Sequence, residues 1–160
     1  MKTIDSFSGH WNALSNFHQC KVLYNGLYYN SVEAAYQAAK MDHAHSSAAK
    51  VRALLTKDTP FEAKAVGNLV PLREDWEQVK VVIMRDILRN KFAQNTNCRL
   101  LLLSTDNCNL VEGNIWHDNF WGSCKCPRCG DKGANHLGKL LMEIRSDLRE
   151  LETMKEGQLK

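Results

Sequence analysis

Glu33, Gln37 and Lys40 recur at helical spacing in a short segment that is rich in alanine. Positions i, i+4 and i+7 lie on one face of an α-helix, so the three polar side chains are predicted to share a face, with Tyr36 beside them. Two interpretations fit this pattern. Either the residues form a solvated stripe on an amphipathic helix, or they line a cleft where burial tunes Glu33 and Lys40 for acid, base or nucleophilic chemistry.

A second segment, residues 111–122, mixes tryptophan and phenylalanine with Glu, Asn, His and Asp. Long loops inside a compact domain are usually functional. The aromatic rings offer flat faces for stacking a base or a sugar, and Asp118 offers a carboxylate or a hydrogen-bond acceptor. The alternative is that Trp116 and Trp121 fill the core. For Trp121 the functional interpretation is favoured, because Gly122 beside it permits close backbone approach.

Three of the six cysteines, Cys124, Cys126 and Cys129, fall within six residues. The turn at residues 126–130 has the Cys-Pro-x-Cys-Gly pattern that points two thiols at one centre, as structural zinc sites require. Cys124 is a third candidate ligand, and the fourth could come from one of three residues: Cys108, His117 or His136. A zinc ion here is expected to brace the loop that carries Asp118.

The composition is typical of an ordinary soluble domain. The chain has 160 residues, of which 44% are hydrophobic and 24% charged, so disordered and fibrous architectures are excluded. A net charge of +3 is too small to indicate nucleic-acid binding by bulk electrostatics. Neither a membrane span nor a secretory signal is recognised, so a cytoplasmic protein with reduced thiols is expected.

A small set of predicted elements must position these residues. The stretch 21–29 predicts a β-hairpin around Asn25-Gly26, a pair that supplies the positive φ values of a type I′ turn. Ser31 is the predicted N-cap of a helix over residues 32–41. Hydrophobic periodicity predicts further helices over residues 47–55, 61–67, 75–94 and 135–153, a short strand at 110–111, and either helix or strand over 99–103.

The predicted fold class is α+β, dominated by helices, with a small N-terminal β-hairpin. Residues 8–17 and 112–134 are predicted loops. One domain is expected over residues 1–153, followed by a frayed tail over 154–160.

Several short motifs, taken in order, resemble the NADAR superfamily, also called YbiA-like. The matching parts of the sequence are residues 7–9, 14–17 and 31–40, Trp76 with Lys80 and Met84, and residues 91–92, 110–114, 116–118, 121–122 and 135–145. Each motif alone is weak, but together they cover the chain from about residue 5 to residue 150 in the family's order, and that combination is specific.

This resemblance implies a YbiA-like fold and an N-glycosidase that hydrolyses the C1′–N bond of ribosylated bases or amines. Two substrate classes follow, namely phosphoribosylamino intermediates of riboflavin biosynthesis and ADP-ribose on guanine in nucleic acid. It implies Glu33, Lys40 and Asp118 as catalytic residues, with no cofactor required for catalysis. The implied substrate-binding residues are Ser15, Asn16, Phe17, Tyr36, Gln37, Trp76, Trp121, Gly122 and Asn135.

The residue types suit this chemistry. Breaking an N-glycosidic bond develops positive charge at C1′, which a nearby carboxylate stabilises. Lys40 allows a second route, in which its neutral amine attacks C1′ and forms an imine with the opened ribose. Both routes remain open at the level of sequence.

The alternative function is a non-catalytic module that binds ADP-ribose or a nucleic-acid end. Lys125, Arg128 and Lys132, beside the cysteine turn, favour it. A pure binder, however, has no need of Glu33 and Lys40 on one inward face. Release of product at catalytic protein concentrations distinguishes the two functions.

Overall fold

The computed structural model describes residues 2–42 and 44–158 and contains short strands and longer helices. In chain order the elements are β1 (Thr3–Ile4), a 3-10 helix (Gly9–Leu14), β2 (Val22–Tyr24), β3 (Leu27–Tyr29), α1 (Val32–Ala39), α2 (Ala48–Leu55), α3 (Pro60–Gly67), α4 (Trp76–Gln94), α5 (Thr96–Ser104), β4 (Asn109–Leu110), β5 (Gly113–Asn114), β6 (Ser123–Cys124) and α6 (His136–Gln158). The predicted α+β, helix-dominated class is confirmed. The chain forms two units, one spanning Asn16–Thr96 and the other taking in the residues up to Ser15 and from Asn97 onward.

The β-hairpin of the Asn16–Thr96 unit is the one that the sequence predicts. Strands β2 and β3 pair antiparallel, with Val22 opposite Tyr29. Asn25 and Gly26 have φ angles of 46° and 77°, the left-handed values that a type I′ turn requires. The hairpin packs on α1 and α4.

Helix α1 forms the centre of this unit. The Oγ of Ser31 accepts a hydrogen bond from the amide of Ala34 at 3.1 Å, which confirms the predicted N-cap. Every residue of α1 is buried, and its alanines let α2, α3 and α4 pack closely against it. The helix ends at Ala39, earlier than predicted, and Lys40 is its C-cap residue.

Helices α3 and α4 are two further predicted helices of this unit. Thr59 and Glu62 form a reciprocal capping box, with Pro60 in the first turn of α3. Helix α4 buries an apolar face at helical spacing that includes Ile83, Ile87 and Phe92. Both α3 and α4 pack against α1.

The second unit contains two short parallel strand pairs. β1 pairs with β4, and β5 pairs with β6 so that Asn114 lies opposite Cys124. Helix α6 packs on β4 through a buried stripe of leucine and isoleucine side chains at residues 137, 140, 141 and 144. Arg145 is also buried and donates hydrogen bonds to Thr105 Oγ1 and to the carbonyl of Cys108.

Both predicted loops contain secondary structure, since residues 8–17 contain the 3-10 helix and residues 112–134 include the short strands β5 and β6. The ambiguous stretch 99–103 is helical, since buried Cys98 and Leu102 share one face of α5. The C-terminal helix continues past Thr153 to Gln158, and residues 159–160 of the predicted tail lie outside the described residues. Among residues 2–42 and 44–158, no helix combines the length and apolar character that a membrane span needs.

Candidate active site

Glu33 and Gln37 lie on a buried face of α1. The two side chains are only 7% and 4% exposed, and Gln37 Nε2 donates a 2.6 Å hydrogen bond to Glu33 Oε1. The interpretation of these residues as a solvated stripe is therefore wrong. The amide of Glu33 also donates to the carbonyl of Asn16 at 3.1 Å, which joins the predicted binding residue Asn16 to the start of α1.

Lys40 is half-buried just beyond the last turn of α1. Burial lowers the pKa of its amine; the charge of Glu33 opposes this shift and that of Lys64 adds to it. A lowered pKa makes the neutral, nucleophilic amine more accessible than in a solvated lysine. The environment of Lys40 thus suits the imine route as well as a purely electrostatic role.

Two buried oxygens near this face have no hydrogen-bond donor among the described residues. They are Asn16 Oδ1 and Gln37 Oε1. Asn16 is otherwise held by a 3.6 Å contact from its Nδ2 to the sulfur of Met84, and Gln37 by its bond to Glu33. Buried acceptors usually find donors, and the hydroxyl groups of a sugar are donors.

The predicted aromatic binding residues of this unit pack mainly on one another. Tyr36 and Trp76 are both buried, with ring centroids 5.0 Å apart. Phe17 lies edge-on to Phe61 at the same separation. Ser15 belongs to the other unit, where it follows the 3-10 helix and donates its amide to the carbonyl of Asn12.

Asp118, in the second unit, is fixed by hydrogen bonds at both its backbone and its side chain. Its Oδ1 accepts from the amides of Phe120 and Trp121 at 3.1 and 2.9 Å. Its own amide donates to Asn114 Oδ1, and its carbonyl accepts from Asn114 Nδ2. A carboxylate held in this way is preorganised to face a developing positive charge.

Glu112 is a titratable residue that the predicted site did not include. Burial, with a further contribution from the charge of Asp118, raises the pKa of Glu112 to about 7. Its Oε2 is buried and has no hydrogen-bond partner among the described residues. The sequence signal was its place in the Val111–Asn114 motif. In the structure Gly122 packs so closely on this segment that an added Cβ would collide with the Glu112 carbonyl.

The remaining predicted residues of this unit surround Glu112 and Asp118. Trp121 is half-buried and contacts the rings of Phe120 and His136. The side-chain amide of Asn135 makes two hydrogen bonds to the backbone. Its Oδ1 accepts from the Glu112 amide, and its Nδ2 donates to the Leu110 carbonyl. Trp116 is 61% exposed, so the interpretation of Trp116 as a core residue is wrong.

In the structure a histidine side chain lies beside the three clustered cysteines. Cys124, Cys126, Cys129 and His117 place their ligand atoms within 4.8 Å of one another, an arrangement that could hold a metal ion. His117 is therefore the residue, of the three considered as a fourth ligand, that joins the cysteines.

Comparison with known proteins identifies the family. Residues 4–149 match the model of the NADAR domain. The chain belongs to the NADAR family. The resemblance to this family that the sequence motifs indicated, over nearly the whole chain, is confirmed.

Similar NADAR proteins include named enzymes. N-glycosidase Npun_R5314 of Nostoc punctiforme is 37% identical over 145 residues, which are 88% of each chain. N-glycosidase YbiA of Escherichia coli strain K12 is 35% identical over 146 residues, 89% of this chain and 85% of that relative. The NMR structure of E. coli YbiA superposes on this chain with a TM-score of 0.77 at 34% sequence identity. The superposition covers 96% of this chain and 89% of the YbiA chain. The YbiA-like fold and the predicted enzyme class, a hydrolase of N-glycosyl bonds, are confirmed.

A third relative is longer. The riboflavin biosynthesis protein VVA0006 of Vibrio vulnificus is 34% identical over 140 residues, which are 86% of this chain and 35% of that protein. The NADAR region of this relative is therefore one part of a larger polypeptide.

Proposed function

We propose that this NADAR N-glycosidase hydrolyses the C1′–N bond of a small ribosylated amine or base, with phosphoribosylamino intermediates of riboflavin biosynthesis as the first substrate class. The name of the V. vulnificus relative supports this class. The modest net charge of +3 also favours a small molecule over ADP-ribosylated nucleic acid, which is the second substrate class.

The observation that carries the proposal is the buried, hydrogen-bonded Glu33–Gln37 pair beside a half-buried lysine. A carboxylate in this setting can transfer the proton that the leaving nitrogen gains or that water loses. The buried acceptors on Asn16 and Gln37 would be satisfied by ribose hydroxyl donors. Lys40 either attacks C1′ or neutralises a phosphate of the substrate.

Asp118 has the proposed role of stabilising positive charge at C1′. Its carboxylate is oriented by two backbone amides, so little reorganisation is needed when charge develops. Trp121 and Gly122 are proposed to line the sugar or base beside it. Catalysis is proposed to need no cofactor.

The His/Cys cluster is proposed as a structural zinc site. Three thiolates and an imidazole would occupy all four coordination positions of a tetrahedral zinc ion, which leaves no open position for water or substrate. The proposed place of action is the cytoplasm, because all six cysteines of the described chain are free thiols.

A turnover assay with matched variants tests the proposed function. A ribosylaminopyrimidine phosphate, ADP-ribosylguanosine and ADP-ribosylated DNA are each incubated with catalytic amounts of protein, and the released base or amine is quantified. We expect the wild type to release many equivalents from the first substrate, and Glu33→Gln to be slower by about 100-fold or more.

Glu74→Gln is the matched control, since Glu74 is an exposed carboxylate of the same unit. This control is expected to retain the wild-type rate. Full activity in Glu33→Gln, or no release from any substrate by the wild type, would overturn the proposal.

A further inference from the structure

One imidazole nitrogen and three sulfurs converge on a single point in the second unit. His117 Nδ1 lies 3.9 Å from the Sγ of Cys124, 3.4 Å from that of Cys126 and 3.3 Å from that of Cys129. Tetrahedral zinc with its usual bond lengths separates nitrogen and sulfur ligands by about 3.6 Å. The three observed separations bracket this value.

Hydrogen bonding alone does not account for this convergence. The Nδ1 of an imidazole either accepts one proton or donates one, so it satisfies one thiol and not three. Thiols are weak donors and have little reason to gather around one ring atom. A shared cation does account for it, because thiolates and neutral imidazole are ligands that zinc favours.

We propose that His117, through Nδ1, and Cys124, Cys126 and Cys129, through their sulfurs, bind one zinc ion, and that this ion holds Asp118 in place. Binding converts the three thiols to thiolates and releases their protons to solvent. No oxidant or reductant takes part. The clause about Asp118 rests on the function proposed for this residue, whereas the metal site does not.

The backbone around the cluster is shaped for the ligands. The carbonyl of Cys126 accepts the amides of Cys129 and Gly130, both at 3.0 Å, and Gly130 has a φ of 64°. His117 itself has a φ of 67°, a left-handed conformation that is uncommon for residues other than glycine. The loop therefore adopts a costly conformation at His117, and a bond from its ring to a metal offsets that cost.

The same cluster is connected directly to Asp118. Asp118 follows His117 in the chain, and the side chain of Asn114 holds the backbone of Asp118 by two hydrogen bonds. Asn114 in β5 lies opposite Cys124 in β6. A zinc ion that joins His117 to Cys124 thus closes the loop on which Asp118 sits.

Metal analysis of the whole chain tests the site. Protein purified under reducing conditions without added metal is measured by inductively coupled plasma mass spectrometry, and we expect about one zinc per chain. Cobalt exchanged into the site is expected to give the intense visible bands of tetrahedral cobalt and a near-ultraviolet sulfur-to-cobalt transition. NMR of the histidine ring is expected to show His117 with its proton on Nε2.

Variants extend the test. Cys126→Ser and His117→Ala are expected to lose zinc, and Cys20→Ser, a half-buried cysteine of the other unit, is expected to retain it. Since a variant could fail to fold, zinc release from the wild type by a chelator is followed in parallel by thermal unfolding. We expect a lowered Tm and reduced turnover that returns when zinc is restored.

Zinc well below one per chain in protein resupplied with the ion, or a wild-type cobalt spectrum without sulfur transitions, overturns the site. Unchanged turnover of folded, zinc-free protein overturns the role in holding Asp118. Absence of N-glycosidase activity in zinc-loaded protein counts against the proposed function and leaves the metal result standing.

Discussion

At the scale of single residues, Lys40 separates two chemical routes. Its lowered pKa, caused mainly by burial, favours the neutral amine that an imine requires. We expect borohydride added during turnover to trap a ribosyl adduct, and peptide mapping to place it at residue 40. Lys40→Arg is expected to abolish activity because a guanidinium stays protonated, whereas Lys50→Arg, at an exposed lysine, is expected to be normal.

The opposite pattern would assign Lys40 an electrostatic role. In that case no adduct forms, and Lys40→Arg retains part of the rate because the positive charge is preserved.

Glu112 predicts how stability depends on pH. Its folded pKa of about 7 lies above the ordinary value of 4.5, so the folded protein binds the proton more tightly than the unfolded chain. This contribution to stability is fully present below about pH 4.5 and is lost as the pH rises through 7, at about 1.4 kcal/mol per unit of pKa shift. Glu112→Gln, which carries no charge, is expected to gain stability relative to wild type between pH 5 and pH 8.

Urea unfolding at several pH values measures this difference. Subtracting the two curves removes the contributions of the titrating groups that do not interact with Glu112. Parallel curves for the two proteins would show that Glu112 is not protonated by burial.

Residue spacing predicted which side chains of this site share a helix face, but it did not predict which groups are buried. The i, i+4 spacing of Glu33 and Gln37 correctly placed them on one face of a helix, but spacing carries no information about whether that face is covered. The raised pKa of Glu112 arises mainly from its burial, and residue spacing does not show burial. His117 was one of three candidates as fourth ligand, because residue spacing does not show which of their ligand atoms lies near the cysteine sulfurs in the folded chain.

At the scale of elements, α3 packs against the part of α1 that carries Gln37, a residue of the candidate site. Gly67 in α3 packs so closely on Gln37 that an added Cβ would collide with the Gln37 amide. Gly67 is the last residue of α3, and alanine normally stabilises a helix relative to glycine by up to about 1 kcal/mol. We expect Gly67→Ala to lower stability instead, and to slow turnover by displacing Gln37 from Glu33.

Gly157→Ala in α6 is the matched control, because a Cβ at this position meets no atom within 4 Å. It is expected to leave both the free energy of unfolding and the rate equal to or above wild type. Urea denaturation and the turnover assay measure both variants. A Gly67→Ala protein that is more stable than wild type and fully active would show that α3 can shift without disturbing α1.

Elements with strong local signals were predicted, and the strand predicted at residues 110–111 corresponds to β4, but strands β1, β5 and β6 were not predicted. The hairpin follows from Asn25-Gly26, and the long helices follow from their apolar periodicity. The parallel pairs β1–β4 and β5–β6 have only two residues in each strand, too few to show any alternation. The partners β1 and β4 also lie far apart in the sequence, since Thr3 pairs with Asn109.

At the scale of the whole molecule, the question is whether the chain turns over its ligand or only binds it. Asp118→Asn addresses this, because the side chain keeps its shape and its Oδ1 can still accept from the amides of Phe120 and Trp121. The substitution removes a negative charge that matters most when positive charge develops at C1′. We therefore expect nearly unchanged affinity for a ribosylated ligand, measured by calorimetry, and a kcat lower by about 100-fold. Asp131→Asn, an exposed aspartate of the same unit, tests whether any loss of negative charge has this effect, and it is expected to keep its kcat. A wild type that binds the ligand but never releases more than one equivalent of product per chain would identify a binding module. Equal kcat values for Asp118→Asn and wild type would instead leave the enzyme intact and give Asp118 a purely structural role.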